Sequence, residues 1–525
     1  SRASWKVPAS VGIYNTEALA KMPRRGVIYT VAPSPVNILT IWAGTDDGLI
    51  HVTHDGGKSW SNVTPPGIPD WSKISLIDAG HTDVNTAYAA VNGIRLDDMH
   101  PHIYRTHDGG RNWTEIDAGL PDDPINVVRE DPRRKGMLLA GSERAVYFSL
   151  DDGAHWQSLR LNMPVTSIRD LVIKDADLVV ATHGRSFWIL DDIAPLRQLS
   201  PAAASKDATL YRPSPATRVR WDTNPDTPLP QEEPAGQNPP DGAIIDYYLK
   251  TDASGPVSLD ILDASGQTIR HYSSTDTLYG VPDVNIPLYW IRPQQILSAK
   301  AGAHRQLWDL HLQPLNVPPA YPISAVFANT APSATSPWVL PGTYTVRLTV
   351  NGNSYTQPLT VRLDPRVKTP LPALQLQHSL SLSAYKGRQR SMEAYDRIHA
   401  LHGQIAALLR SAQGSLATDL QQLDNKAAAL EGAARRGRGN PMGRAETTGD
   451  SPVGFGELQG SFATLFTVLE EADLPPTTQA TAELQATLQS EKQAQAAWAR
   501  LQNDLPAINA RLQAAGMTTL VSSSK

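Results

Sequence analysis

One short pattern constrains this 525-residue chain more than any other feature. Ser/Thr-x-Asp-x-Gly-x-x-Trp occurs three times, at 53–60, 106–113 and 149–156. The copies recur at steps of about 40–55 residues, the length of one four-stranded supersecondary unit. Each position has a physical job. Asp55, Asp108 and Asp151 accept hydrogen bonds from backbone N–H groups of their own turns. Gly57, Gly110 and Gly153 supply positive φ. Trp60, Trp113 and Trp156 pack between neighbouring sheets as large apolar groups. A fourth copy is degenerate: 181–192 aligns without gaps on 141–152, keeping the Asp but losing the Ser and the Gly. Short β-prone runs at 38–43, 86–91, 137–140 and 178–181 precede the copies. Each repeat therefore reads as strand, turn, strand, motif, strand.

These motifs resemble the Asp-box (BNR) repeats of sialidases, xyloglucanases and sortilin-type receptors. The resemblance implies about four all-β propeller blades over 1–195, part of a larger propeller, with the Asp-box itself structural. Beyond this region, residues 196–242 are rich in proline, with Pro213, Pro215, Pro225, Pro228, Pro230, Pro234, Pro239 and Pro240. They read as an extended wrapping connection. Residues 243–366 alternate apolar and polar in about seven short runs separated by turn signals, the pattern of a β-sandwich. The pattern Ala301-Gly302-Ala303-His304, Trp308-Asp309 and Pro341-Gly342-Thr343-Tyr344 resembles an immunoglobulin-like domain. Residues 367–525 turn to Ala, Leu, Gln and Glu. Ile398, Leu401, Ile405 and Trp498, Leu501, Leu505 recur at helical spacing. A helical bundle or coiled hairpin follows, with a mobile loop near 435–455 and a kink or restart at Pro506 behind Asp504.

The order of these parts also resembles large bacterial exported proteins labelled sortilin-like or "glycosyl hydrolase". The match is carried by Arg25-Gly26-Val27-Ile28-Tyr29, Trp42-Ala43-Gly44-Thr45-Asp46-Asp47-Gly48-Leu49 and His183-Gly184-Arg185-Ser186-Phe187-Trp188. It implies export to the periplasm, the medium or the cell surface. It also implies further blades upstream, so the chain reads as the C-terminal part of a larger assembly. Four blades alone leave two bare sheet edges, which N-terminal blades or a partner chain are expected to cover.

Composition removes several function classes. Cysteine is absent, so thiolate metal sites, thiol nucleophiles and disulfides are excluded. A net charge of −5 argues against a generally basic nucleic-acid binder. Residues Arg435, Arg436, Arg438 and Arg444 form one basic run, read as an interhelical loop. No stretch of 18 apolar residues exists to span a membrane. The chain lacks a Gly-x-Ser-x-Gly elbow, a phosphate loop and a dinucleotide fingerprint. No cofactor and no metal are expected, although His100 and His102 beside Asp97 and Asp98 have ligand chemistry.

If the repeated motif joins the third strand to the fourth, the second-to-third turns lie at the opposite end, where the resembling propellers bind ligands. Those turns and their flanks concentrate charge. Asp46, Asp47, Asp97, Asp98 and Glu143 are carboxylates of the type glycoside hydrolysis needs in pairs. Arg129, Arg144, Arg169 and Arg185, with His183, form a candidate ligand-gripping cluster. The Arg-Ile-Pro signature of sialidases is missing. Three functions stay open, the first two being a binding protein for a peptide, protein or glycan, and a glycoside hydrolase working in a cleft shared with further blades. A scaffold role within a complex is the third.

Overall fold

The computed structural model describes residues 26–220, 236–321, 328–432 and 453–522. The chain divides into two compact units, Ser1–Ser205 and Lys206–Lys525.

The first unit holds four successive antiparallel sheets. The first contains β1 (Ile28–Pro33), β2 (Ile41–Thr45), β3 (Ile50–Thr53) and β4 (Ser61–Asn62). The second contains β5 (Lys73–Ala79), β6 (Ala87–Asn92), β7 (His102–Thr106) and β8 (Thr114–Glu115). The third contains β9 (Ile125–Glu130), β10 (Leu138–Ser142), β11 (Val146–Ser149) and β12 (Gln157–Ser158). The fourth has three strands, β13 (Ile168–Lys174), β14 (Asp177–Thr182) and β15 (Phe187–Leu190). Within each sheet the strands lie in chain order, so every link is a hairpin.

The sheets pack face to face, and the sequence shows why. Strands β6 and β10 are buried at every position. Their run of Ala, Gly, Val and Leu suits a strand covered on both faces. Trp42, Ile50 and Val52 of the first sheet share a core with Ile74, Ile77 and Val91 of the second. Tyr88 and Ile103 meet Ile125, Val128 and Leu138, and Leu139 and Phe148 meet Leu171 and Val180. The first strands follow one another, β1 on β5, β5 on β9 and β9 on β13. Thr30 Oγ1 accepts the Ile77 N–H at 3.2 Å, and Asp78 accepts the Glu130 N–H at 2.8 Å.

The fourth repeat departs from the pattern. Without the Ser and the Gly it makes no motif turn and no fourth strand. The chain instead passes buried Ile193 into α1 (Ala194–Gln198) and α2 (Pro201–Ala204). Arg197 then pairs with buried Asp131 at 2.8 Å.

The second unit joins two sheets and a set of helices. The stretch read as a wrapping connection contributes two strands. β16 (Ala208–Leu210) pairs with β18 (Ala243–Leu249), and β17 (Ala216–Arg218) runs parallel to β23 (Asn353–Leu363). Pro213 and Pro215 fall between these strands, leaving both segments free to donate hydrogen bonds. Pro225, Pro228, Pro230 and Pro234 lie outside the described residues. β19 (Ser258–Leu262), β20 (Thr268–Ser273), β21 (Gly302–Trp308) and β22 (Gly342–Val350) complete the set. The sheet orders are β16-β18-β21 and β17-β23-β22-β19-β20. Both sheets feed one core around Trp308, Tyr247, Ile261 and Val346. β21 stops at Trp308, and Leu310 beyond it takes φ +59°. Gly242, at φ +96°, opens β18 where any Cβ would strike the Trp308 carbonyl.

The helices are α3 (Leu371–Leu409), α4 (Gly414–Glu431), α5 (Phe455–Glu470) and α6 (Thr478–Ala514). Ile398, Leu401, Ile405, Trp498, Leu501 and Leu505 all enter their common core. The helix does not restart at Pro506: α6 runs through it. Pro506 is exposed. Asp504 caps nothing and pairs with Lys426 at 3.0 Å. Sheets and helices are tied by a buried ion pair, Arg218 to Asp473 at 2.6 Å. The basic run at 435–444 lies outside the described residues. Among the described residues no helix is long and apolar enough to cross a membrane.

Candidate functional site

The two ends of the first unit carry different chemistry. At one end the three motif turns repeat the same bonds. The Gly57, Gly110 and Gly153 N–H groups donate to Thr53, Thr106 and Ser149 Oγ at 3.0, 3.0 and 2.9 Å. The Ser59, Asn112 and His155 N–H groups donate to Oδ1 of Asp55, Asp108 and Asp151 at 3.0, 2.9 and 2.9 Å. The glycines sit at φ +93°, +86° and +87°. The side chain of Ser59 holds the Asp55 carboxyl far below the usual range. Asn112, through its backbone N–H first, lowers Asp108 to about 2. Each turn also clasps the first-to-second hairpin: Gly56 N–H to Leu39 O at 3.0 Å, Gly109 to Asn85 at 2.9 Å, Asp152 to Gly136 at 2.8 Å. His54 and His107 repeat one contact, on Thr40 and Thr86. The motif carboxylates and hydroxyls at this end thus bond chiefly within their own turns.

Trp113 and Trp156 lock successive sheets together. Their indole N–H groups donate to the carbonyls of Val63 and Ile116, each at 2.7 Å, in the sheet before. Trp156 is 6% exposed. Trp60, expected to pack in the same way, is 44% exposed. None of the four described sheets precedes its own.

The second-to-third turns gather at the other end. Asp46 N–H donates to Val27 O at 3.1 Å, Glu143 N–H to Pro124 O at 3.0 Å and His183 N–H to Ser167 O at 2.9 Å. Four of the five candidate carboxylates found here have separate partners. Asp46 accepts the Val27 N–H at 2.8 Å and faces Arg95 at 3.5 Å. Asp47 is buried and accepts the Thr45 hydroxyl at 2.5 Å. Asp97 is exposed in a left-handed loop position, φ +62°. Asp98 holds His102 at 2.9 Å and His100 at 3.0 Å. Glu143 accepts Asn126 Nδ2 at 3.0 Å and pairs with Arg169 at 3.2 Å.

Two of these carboxylates, Asp98 and Glu143, are held below their usual range. Burial works to raise Asp98, but the His100 backbone N–H and the two imidazoles outweigh it and hold it low. Burial likewise works to raise Glu143, but hydrogen bonds from Ser167 and Asn126 and the charge of Arg169 hold it low. A general acid needs the opposite shift. Asp123 is raised by burial, yet it lies covered beneath the Ser142 hydroxyl. Among the described residues no group of His, Asp or Glu is arranged to hold a metal ion. His102 illustrates why: its two ring nitrogens face Asp98 and Glu115, at 2.9 and 2.6 Å.

The cations divide into two sets. Arg129 lies within β9 and is used up as a brace: it meets Asp78 at 3.2 Å, Asp170 at 2.9 Å and the Leu171 carbonyl at 2.9 Å. The turns carrying Arg144 and His183 both bond to segment 166–169, which holds Arg169, and Arg185 lies two residues beyond His183. Thr166 N–H reaches the Arg144 carbonyl at 3.4 Å, while His183 N–H binds Ser167. Arg144 is 65% exposed, and Arg169, His183 and Arg185 are exposed too. Sequence reasoning missed the support beneath them. Buried Asn92 donates to buried Asn126 at 2.9 Å, and Asn126 donates on to Glu143 and to the Ile168 carbonyl. Two asparagines at strand ends carry no signal beyond turn chemistry.

No protein-family model and no curated protein matches the chain. Solved structures give weak likenesses. YCF48 bound to a D1 peptide is 18% identical over 32% of this chain and 53% of that one, with a TM-score of 0.26. YCF48 from Cyanidioschyzon merolae is 19% identical over 32% and 54%, again at 0.26. The computationally designed Ika4 protein is 14% identical over 32% and 93%, at 0.23. The match spans about half the length of the two YCF48 chains.

Proposed function

We propose that the four sheets are blades of an Asp-box propeller and that the chain is a binding protein. Its partner is an acidic peptide segment of another protein, held at the end carrying Arg144, Arg169, His183 and Arg185. One observation supports this most. Arg144, Arg169, His183 and Arg185 are all exposed, with Arg169 set by Glu143 at 3.2 Å, which Asn126 holds in turn, and Arg144 3.9 Å from Asp123. Guanidinium groups recognise carboxylates by paired, charge-assisted hydrogen bonds. The paired sheets of the second unit serve as an immunoglobulin-like spacer, and the helices as a rigid support. Export belongs to the same proposal and is tested by cell fractionation.

Glycoside hydrolysis is the weaker reading, because Asp98 and Glu143 are stabilised as anions. The test is a fluorescence-anisotropy titration with a labelled hexaglutamate peptide at low and moderate salt. Binding that weakens with salt, and that falls about tenfold or more in Arg144→Ala/Arg185→Ala, supports the proposal. Undiminished binding by the double variant, or turnover of aryl glycosides lost in Glu143→Gln, overturns it.

A further inference from the structure

Each first strand of the four sheets carries one extra residue, at the same place. Pairing runs from Ile28–Thr45 to Thr30–Gly44 in the first sheet and from Ile74–Val91 to Leu76–Ala90 in the second. It runs from Ile125–Ser142 to Val127–Gly141 in the third and from Ile168–Thr182 to Asp170–Ala181 in the fourth. Tyr29, Ser75, Asn126 and Arg169 are therefore bulged out of their ladders. Bulges re-aim side chains and concentrate beside active sites. All four lie next to the second-to-third turns, because the partners Thr45, Val91, Ser142 and Thr182 stand at or beside the ends of the second strands.

The two central members bond to the following sheet. Ser75 Oγ donates to the Ile125 carbonyl at 3.3 Å and Asn126 Nδ2 to the Ile168 carbonyl at 3.0 Å, each time the residue before the next bulge. The outer two reach solvent. Arg169 is exposed and pairs with Glu143 at 3.2 Å. Tyr29 is 51% exposed, and the Lys73 ammonium lies over its ring, 4.8 Å from the centroid. That cation–π contact orients the lysine. Lys73 is half-buried at the start of β5 and meets no carboxylate within ion-pair distance among the described residues. Burial works to raise Glu143, and the charges of Arg169 and Lys73 both help to hold it low. The two cations therefore act on one carboxylate, from the fourth sheet and from the second.

We infer that Lys73, held over Tyr29, is a second anchor for the acidic peptide, so that the preferred ligand carries carboxylates at both ends of an extended stretch of about six residues. The inference rests on the reading of the arginine group as a peptide site and says which acidic peptides that site selects. Lys73 and Arg169 belong to sheets two places apart. Packed sheets lie about 10 Å apart and an extended chain rises about 3.3 Å per residue, so roughly six residues span the two cations and three do not. Tyr29 is a positioning residue, acting through the lysine.

The test compares labelled triglutamate with labelled hexaglutamate by fluorescence anisotropy, on the 525-residue chain and its variants at low salt. Lys73→Met should weaken hexaglutamate about two- to fivefold, the range of one exposed ion pair, and leave triglutamate unchanged. Lys73→Arg should retain hexaglutamate binding. Tyr29→Ala should reproduce part of the loss, and Tyr29→Phe, which keeps the ring under the ammonium, should restore it. Equal losses for the two peptides in Lys73→Met, or no loss for either, overturn the inference. So does a loss in Lys73→Arg or Tyr29→Phe as large as in Lys73→Met or Tyr29→Ala. Arg144→Ala/Arg185→Ala separates this inference from the reading beneath it. If that double variant weakens both peptides while Lys73→Met weakens neither, only the second anchor falls. If the double variant weakens neither, the arginine site falls and the second anchor with it.

Discussion

Replacing the three motif tryptophans one at a time by phenylalanine separates a lock from a spectator. Trp156 is nearly buried, and its N–H binds the Ile116 carbonyl at 2.7 Å. Phenylalanine removes the donor and leaves that carbonyl unsatisfied, at about 1–3 kcal/mol. The smaller ring leaves a void that adds about 1 kcal/mol. Trp156→Phe should therefore lose about 2–4 kcal/mol, more than a tenfold change in the folded-to-unfolded ratio. Trp113 makes the same bond but is only half-buried, so Trp113→Phe should lose about 1–2 kcal/mol. Trp60 has neither burial nor an acceptor among the described residues, so Trp60→Phe in the isolated 525-residue chain should stay within about 0.5 kcal/mol. Native-state hydrogen exchange of the β10 and β11 amides reports the first unit alone, free of the helical signal. Equal losses at all three positions, or the largest at Trp60, would refute the idea that this indole bond joins successive sheets.

Three further outcomes follow from other parts of the chain. Asp473→Ala leaves Arg218 charged and buried without its partner and should lose about 3–5 kcal/mol in urea unfolding, whereas Arg218→Met with Asp473→Leu should recover most of it. A single-variant loss below about 1 kcal/mol would contradict that. Gly387→Ala places a Cβ 2.5 Å from the Phe462 ring where α3 meets α5. Overpacking of about 1–3 kcal/mol should exceed the roughly 1 kcal/mol gained in helix propensity, and Phe462→Leu should reverse the sign. His102 is opposed by burial, but hydrogen bonds to Glu115 and Asp98 raise it above its usual 6.5. Its contribution is then complete below about pH 6.5 and lost as pH rises through the raised value. His102→Gln should flatten the pH dependence of exchange in loop 93–101 over that window, and an unchanged slope would remove His102 from the account.

The strands were legible where pattern and local chemistry agree. The motif turns are self-contained, so Asp55, Asp108 and Asp151 show their role in the spacing of hydroxyl, carboxylate and glycine. The helical stripes through Ile398 and Trp498 reach a core because their period leaves one apolar face to bury. What failed depends on distant partners. β16 and β17 are three-residue strands, recognisable only through β18 and β23. Pro506 reads as a helix breaker until its exposure on α6 is known. The same holds for the candidate site. Arg129 and Arg144 look alike in sequence, but one is held between Asp78 and Asp170 and the other is 65% exposed, with Asp123 at 3.9 Å. Asp46, Asp47, Asp98 and Glu143 share a residue class and an end of the unit, and only their neighbours separate turn formers from an ion-pair support.

The central claim is that an acidic peptide binds where the second-to-third turns of the last two sheets meet. Hydrogen–deuterium exchange of the 525-residue chain with and without saturating hexaglutamate tests it most directly. Binding as proposed slows exchange in 143–145, 166–169 and 183–186 and leaves the motif turns at 53–60, 106–113 and 149–156 unaltered. Protection confined to the motif turns, or none at a peptide concentration that saturates the anisotropy signal, contradicts it.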